Sequence, residues 1–189
     1  LGKALDFDGS DDYVSVGDIG SVSAYSVSVW AKRNTITNDY AVLYGLTSAR
    51  KDIMAVYENG DIIYGDADVA VTTWSSVWTD KNSWHYITMT TPQVGLSSDV
   101  TIYFDGVSKG TITARTDGAM NGITIGEFTT LFGNEWVGLI DEVRVYNRAL
   151  SAGEVAALYK SGAAKFTPPS NLGLVGYWSF NDATSTNTG

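Results

Sequence analysis

Short segments of alternating apolar and polar residues occupy most of the chain, and this pattern limits the possible folds more than any other feature. In residues 21–30, SVSAYSVSVW, the side chains of Tyr25, Val27 and Val29 alternate with small polar residues. A period of two is typical of a β-strand with one buried face. Many short strands separated by turns predict an all-β antiparallel sandwich. Further alternating segments lie at residues 51–66, 83–90, 99–113, 121–128 and 135–147.

Two dipeptides predict tight hairpins between neighbouring strands. Asn59-Gly60 lies within residues 51–66, and Asp105-Gly106 lies within residues 99–113. Asn-Gly and Asp-Gly are preferred in type I′ turns because both central residues take a positive φ. We therefore expect a type I′ turn at each position.

One short helix is predicted near residues 151–159. Ser151 can cap its N-terminus, and Glu154 follows at the spacing of a capping box. Val155 and Leu158 form a one-sided apolar stripe. We expect this helix to lie across one end of the sandwich.

The composition changes after residue 160. Residues 161–173 contain small residues and a Pro-Pro pair, which predicts an extended linker after a domain of residues 1–160. The segment that follows, residues 174–189, begins with the apolar strand LVGYWSF. A single strand cannot form a domain, and we expect residues 174–180 to pair beside the strand of residues 3–8 or beside the strand of residues 138–146.

Charge and composition exclude several classes of protein. The 189 residues are 44% hydrophobic and 17% charged, which fits one globular domain. No apolar run approaches the ~20 residues that cross a bilayer. The net charge of −9 disfavours a nucleic-acid partner. The chain has no cysteine and begins LGKALDFDG, and we expect it to be a mature or excised part of a longer protein.

Six segments together resemble a known family. They are ALDFDGSDDYVSV, YSVSVWAK, SWHYITMT, VTIYFDGV, ITIGE and GLIDEVRVYNRALSAGEVAALY, in this order along the chain. The sequence resembles a laminin G-like domain of the concanavalin A-like lectin/glucanase superfamily over residues 1–160. The resemblance implies a two-sheet antiparallel jelly-roll sandwich.

The same resemblance implies that a strand like that of residues 174–180 normally comes first in the domain. Here it comes last. It either closes the sandwich, as in a circular permutation, or begins the next repeat of a tandem array. We expect a monomer closed by its own strand, or a dimer in which two chains exchange it.

The predicted strand GLIDEVRVY contains an acidic residue, Asp141. The alternation places Asp141 in the row of Leu139 and Val143, facing the core. An unpaired buried carboxylate costs several kcal/mol, so it needs a partner. Backbone amides, an arginine such as Arg144 or Arg148, or a cation would each supply one.

The acidic turn FDGSDD favours the cation. Asp8, Asp11 and Asp12 offer oxygen ligands, which Ca²⁺ prefers, whereas zinc and copper favour Cys and His. The resemblance implies a calcium site formed by the Gly9 carbonyl and Asp141, with Asp8 and Asp12 as further ligands. The alternative is that these carboxylates only cap a turn.

The residues do not predict an enzyme. Catalytic relatives with this fold carry an E-x-D-x-E pattern along one strand, and no such pattern is present. Because His85 is the only histidine and cysteine is absent, Cys-His chemistry is excluded and a Ser-His-Asp triad is disfavoured. We expect His85 to be a packed sheet residue.

Aromatic residues outside the clearest strands are the best candidates for ligand binding. They are Trp74, Trp78, Tyr40 and Trp136. Exposed rings of this kind stack on sugars and anchor protein interfaces, although these rings could instead pack under their own loops. The sequence thus predicts a carbohydrate-binding or adhesive module of a secreted or cell-surface protein. The alternative is an interaction module for an extracellular protein, with no glycan ligand.

Overall fold

The computed structural model describes residues 3–34, 40–46, 52–66, 70–127, 134–163 and 173–180. Within these ranges the chain forms fifteen strands and one helix. The elements are β1 (Leu5–Asp8), β2 (Val14–Gly17), β3 (Gly20–Ser21), β4 (Tyr25–Arg33), β5 (Tyr40–Gly45), β6 (Ile53–Tyr57), β7 (Ile62–Asp66), β8 (Ala70–Trp74), β9 (Trp84–Thr91), β10 (Gly95–Phe104), β11 (Val107–Thr116), β12 (Ala119–Met120), β13 (Ile123–Ile125), β14 (Val137–Tyr146), α1 (Ala152–Ala163) and β15 (Leu174–Trp178).

Two antiparallel sheets form a jelly-roll sandwich, which confirms the predicted fold class. The seven-stranded sheet has the order β1-β14-β4-β9-β10-β11, with β15 also paired to β14. The six-stranded sheet has the order β2-β13-β5-β6-β7-β8, and β3 pairs with β12 in a small ribbon.

The core lies between the two sheets and follows from the alternation in the sequence. In β4, Tyr25, Val27, Val29 and Ala31 face this core and are almost fully buried. Fully burying such an apolar side chain contributes about 1.5–3 kcal/mol, except for alanine, which has less surface to bury. Trp30, from the opposite face of β4, belongs to a second cluster outside the sandwich.

Helix α1 covers the outer face of the seven-stranded sheet. Its Val155 and Leu158 are buried against Trp30 and Tyr86, and Tyr159 stacks on Trp30 with ring centroids 5.7 Å apart. The expectation that the helix lies across one end of the sandwich is therefore wrong. The large aromatic side chains on the outer face of the sheet require an apolar cover, and the stripe of α1 supplies it.

The capping box is confirmed. The backbone amide of Ser151 donates to Glu154 Oε2 at 2.8 Å, and the amide of Glu154 donates to Ser151 Oγ at 3.3 Å. The helix continues to Ala163, three residues into the segment 161–173 that was predicted as linker. The rest of that linker, residues 164–172, and the tail 181–189 lie outside the described residues.

Only one of the two predicted hairpin turns is of type I′. Asp105 and Gly106 have φ angles of 53° and 76°, and Phe104 pairs directly with Val107. In the other turn only Gly60 has a positive φ, 89°, and the Tyr57 amide donates to the Asp61 carbonyl. This turn therefore has three loop residues, which relieves Asn59 of the left-handed conformation.

The relocated strand pairs with its own chain. Trp178 of β15 lies opposite Val143, whereas Leu5 of β1 lies opposite Ile140. The strands β1 and β15 thus follow one another along the same edge of β14. Asp141 and Glu142 occupy the gap between them.

Candidate functional site: the Asp141 bulge and the outward aromatic pair

Asp141 lies at a β-bulge. The pairing of β14 with β4 shifts between Asp141 and Arg144, and Glu142 has a φ of 53°. Ile140 and Val143 both contribute to the sandwich core, although three positions separate them. A bulge adds one residue and so changes the face on which the following side chains lie.

The bulge corrects the predicted orientation of Asp141. Asp141 pairs with Trp30, whose side chain belongs to the cluster under α1. Directly paired residues share one face of a sheet. Asp141 therefore lies on the helix side of the sheet, and not in a core row with Leu139 and Val143 as the simple alternation indicated.

The carboxylate of Asp141 is only partly satisfied. The side chain is 0% exposed, and its Oδ1 accepts a hydrogen bond from the Glu142 amide at 2.8 Å. No donor among the described residues reaches Oδ2. Burial raises the pKa of Asp141 to about 6, because the charged form is poorly solvated there.

The two arginines considered as partners of Asp141 are engaged by other acids. Arg144 forms an ion pair with Glu142, and its guanidinium lies 4.6 Å from the ring centre of Tyr177. The Tyr177 hydroxyl donates to Glu142 Oε2 at 2.8 Å. Arg148 forms an ion pair with Glu154. The Oδ2 atom of Asp141 is thus left for a proton or a cation.

The aspartates of the acidic turn accept hydrogen bonds from backbone amides of the same turn. The amide of Asp8 donates to Asp12 Oδ2 at 3.0 Å, and the amide of Ser10 donates to Asp8 Oδ1 at 2.9 Å. Aspartate side chains commonly satisfy turn amides in this way. Gly9 has a φ of 85°, and a Cβ there would lie 2.6 Å from Val137 Cγ2.

The structure does not bring the acidic turn and Asp141 together. Asp8 pairs with Val137, four residues before Asp141 on β14. At about 3.3 Å per residue this places their Cα atoms about 13 Å apart along the strand. Within the described part of the chain, no group of three or more His, Cys, Asp or Glu side chains is arranged to hold a metal.

The three tryptophans predicted as ligand contacts are buried. Trp78 and Trp136 are fully enclosed in the sandwich core with ring centroids 5.6 Å apart, and Trp74 is 6% exposed. A ring enclosed in the core has no free face for a sugar. This corrects the expectation for all three: they pack in the sandwich core, and Trp74 belongs to strand β8.

Tyr40 is the predicted ligand residue that stays partly exposed. It pairs with Tyr57 across β5 and β6, and the two rings meet edge to face with centroids 5.6 Å apart. Both pack against an apolar cluster that faces away from the sandwich core. That cluster contains Val42, Ile53, Ala55 and Ile63.

Sequence reasoning missed Tyr57. The alternation in β6 could have found it, because Ile53, Ala55 and Tyr57 share the face opposite to Met54 and Val56. We call the two partly exposed rings, Tyr40 and Tyr57, the outward aromatic face; the cluster on which they pack, with Val42 and Ile63, is itself buried.

Two buried glutamates, Glu127 and Glu135, lie close to β5. The amide of Val42 donates to the Asn134 carbonyl at 2.7 Å, and the amide of Gly126 donates to the Leu43 carbonyl at 3.0 Å. These bonds hold Gly126 and Asn134, and with them the adjacent Glu127 and Glu135, against β5. Burial, followed by the charge of Glu135, raises the pKa of Glu127.

Comparison with known proteins now identifies the family. A laminin G-type sequence profile described as the concanavalin A-like lectin/glucanases superfamily matches residues 8–156. The chain belongs to this superfamily. No curated protein sequence matches it, and no helix among the described residues is long and apolar enough to cross a bilayer.

Solved structures of other proteins share the fold. A SAP-like pentraxin from Limulus polyphemus superimposes with a TM-score of 0.71 at 16% identity, covering 93% of this chain and 87% of the pentraxin. A second similar structure is domain 4 of an extracellular GH43 arabinanase from Geobacillus stearothermophilus, in complex with arabinotriose. It superimposes with a TM-score of 0.62 at 23% identity, and the match covers 82% of this chain and 76% of that one.

A third similar structure is a putative carbohydrate binding protein from Bacteroides ovatus. It gives a TM-score of 0.73 at 15% identity, and the match covers 100% of this chain and 54% of that one. At these identities the likeness establishes the jelly-roll fold.

Proposed function

We propose that this chain is a non-catalytic carbohydrate-binding module of a secreted or cell-surface protein, and that it binds glycan on the outward aromatic face. The observation that carries this proposal is the edge-to-face pair of Tyr40 and Tyr57, whose rings stay partly exposed over a buried apolar cluster. Aromatic rings held rigidly in this way offer contact area to a sugar ring at little entropic cost.

The proposal is supported by the similar structures. One is an arabinanase domain in complex with arabinotriose, and another is described as a putative carbohydrate binding protein. The chain also lacks the E-x-D-x-E pattern of catalytic relatives. Binding without catalysis is the function that best fits both observations.

Tyrosine substitutions test the glycan site. Tyr57→Ala and Tyr40→Ala should each weaken glycan binding at least tenfold, because about 1.4 kcal/mol of stacking corresponds to that factor. The matched control is Tyr13→Ala, since Tyr13 is 50% exposed and lies outside the outward aromatic face. Binding is first found on a glycan array and then measured by calorimetry.

Two results would contradict the proposed site. One is a Tyr57→Ala protein that keeps full affinity for the glycan. The other is an equal loss of affinity in Tyr13→Ala, which would place the ligand elsewhere.

We further propose that Asp141 is a ligand of a bound calcium ion, which would neutralise the carboxylate in the gap between β1 and β15. The unpaired Oδ2 atom supports this assignment, because a hard cation with oxygen ligands suits a buried carboxylate. Asp8, Gly9 and Asp12 lie too far along the edge to join the same ion, and the side chains of Asp8 and Asp12 already accept hydrogen bonds from the turn.

A protein ligand is the second candidate. The edge strand β15 exposes 44% of Tyr177 and 37% of Val175. A sheet edge with exposed apolar side chains can add a strand from another protein. A glycan array without hits, together with a bound extracellular protein whose affinity falls in Tyr177→Ala, would favour this candidate.

A further inference from the structure

The loop of residues 75–83 crosses from the six-stranded to the seven-stranded sheet and carries the buried Trp78. Two backbone hydrogen bonds hold it. The Trp78 amide donates to the Gly60 carbonyl, and the Asn82 amide donates to the Arg33 carbonyl, both at 2.9 Å. We call residues 75–83 the crossover loop.

A permanently charged side chain fixes one part of the crossover loop. Arg33 is 1% exposed, and its Nη2 donates to the Trp78 carbonyl at 2.8 Å and its Nε to the Asp80 carbonyl at 3.0 Å. Its Nη1 donates to the Glu58 carbonyl at 3.2 Å. Because arginine keeps its proton at any ordinary pH, these contacts do not depend on pH.

A titratable side chain fixes the other part. His85 Nδ1 lies 2.7 Å from Asp105 Oδ2, and Nε2 lies 3.0 Å from Asp80 Oδ1. The ring stacks on Phe104 at 4.5 Å and meets Trp78 edge-on at 5.5 Å. The imidazole is thus held between the β10–β11 turn and the crossover loop.

Both contacts of His85 can be hydrogen bonds only when the ring carries two protons. A neutral imidazole has one N–H, whereas ionised carboxylates only accept. The other oxygen of Asp105 already accepts from the Tyr86 amide at 2.9 Å. A neutral His85 would therefore face one of its two carboxylates with a lone pair.

We propose that His85 is a pH-operated clamp, in which the imidazolium ties Asp80 of the crossover loop to Asp105, and loss of its proton breaks one of these contacts and loosens the loop while Arg33 still holds it. The charged groups around this clamp come from five elements. They are Asp105 of the β10–β11 turn, Asp80 and Lys81 of the crossover loop, Arg33 of β4, Glu58 of the β6–β7 turn, and Lys109 of β11, which lies over the Phe104 ring.

The direction of the switch follows from these charges. Burial by itself lowers the pKa of His85, but hydrogen bonds and attraction from Asp105 and Asp80 outweigh it, and the net pKa is raised. A raised folded-state pKa means that the clamp stabilises fully below about 6.5 and that this stability is lost as the pH rises through the raised value.

The clamp also adjoins the outward aromatic face. Arg33 Nη1 lies 3.5 Å from the Tyr57 carbonyl, and the crossover loop rests on the turn that follows Tyr57. This expectation rests on the proposed glycan site: affinity for the glycan should fall at alkaline pH, when the loop is loosened.

The single histidine makes a direct test possible. In a ¹⁵N-labelled sample every histidine side-chain signal belongs to His85. A titration should show both ring nitrogens protonated at pH 6 and a midpoint above about 6.5. A midpoint at or below that value, or a neutral ring at pH 6, would overturn the proposal whether or not the protein binds glycan.

Hydrogen exchange tests the loosening of the loop. In the wild type, protection of the Asn82 amide should fall as the pH rises through the midpoint for His85. Asp80→Asn and His85→Gln should remove this dependence, whereas Asp99→Asn, an exposed change on β10, should keep it. Protection that follows pH equally in Asp80→Asn and the wild type would show that His85 is no clamp.

Discussion

Burial of the Asp141 carboxylate with one unpaired oxygen disfavours the folded protein unless something compensates it. The bulge fixes this residue opposite Trp30, while Arg144 is held by Glu142 and by the ring of Tyr177. The Oδ2 atom of Asp141 therefore needs a proton or a cation in the folded protein. The aspartates of the acidic turn carry no such requirement, because backbone amides satisfy them.

Calcium should stabilise the wild type through Asp141. An ion that binds only the native state adds about 2.7 kcal/mol at one hundred times its dissociation constant. Melting curves with calcium and with a chelator measure this difference. Asp141→Asn should abolish it, whereas the matched variant Asp8→Asn should retain it. If calcium raised the melting temperature of Asp141→Asn and of the wild type equally, Asp141 would not be a ligand of the ion.

The helix α1 illustrates how local and tertiary interactions combine in one element. Its N-terminus is fixed by the reciprocal Ser151–Glu154 capping box, which the sequence spacing predicts. Its position depends on Trp30, Tyr86 and Tyr146, which come from three different strands. The ion pair of Glu154 with Arg148 then ties the first turn of the helix to the end of β14.

Glu154→Gln should reduce stability by about 0.5–1 kcal/mol at pH 7, as expected for a partly exposed ion pair. The Arg148 hydrogen bond, followed by the Ser151 amide, lowers the pKa of Glu154 to about 2. A lowered folded-state pKa gives stability above about 4.3 that is lost as the pH falls through the folded value. Denaturant titrations at pH 7 and pH 3 should therefore show a smaller difference between variant and wild type at pH 3. An unchanged difference would contradict this assignment.

At the scale of the whole molecule, one edge of the seven-stranded sheet is built from both ends of the chain. β1 covers the first half of β14, and β15 covers the second half. Trp178 and Phe180 pack against the sandwich core, and Leu174 packs against the cluster under α1. This arrangement supports closure of the sandwich by its own last strand, in preference to a role as the first strand of a next repeat.

Truncation after Ala163 should destabilise the domain and expose the edge of β14. Each of the three apolar side chains would contribute about 1.5–3 kcal/mol if fully buried, and less here because they are partly exposed. An open apolar edge should also promote dimers or aggregation. Melting curves and light scattering measure both effects.

The matched control is a chain that ends at Phe180 and so keeps β15. It should melt and elute like the full chain. A chain ending at Ala163 that stays monomeric with an unchanged melting temperature would show that the last segment does not close this domain.

The sequence by itself determined the elements whose signals are local. The period-two segments became strands, Asp105-Gly106 became a type I′ turn, and Ser151 capped the helix, because each depends on neighbouring residues. Only the tertiary structure decided on which face of its sheet a side chain lies and how deeply that side chain is buried. The bulge at Glu142 shifted Asp141 to the helix side, and packing between the sheets enclosed Trp78 and Trp136. Strand register and burial arise from residues far apart in the chain, so a local pattern does not contain them.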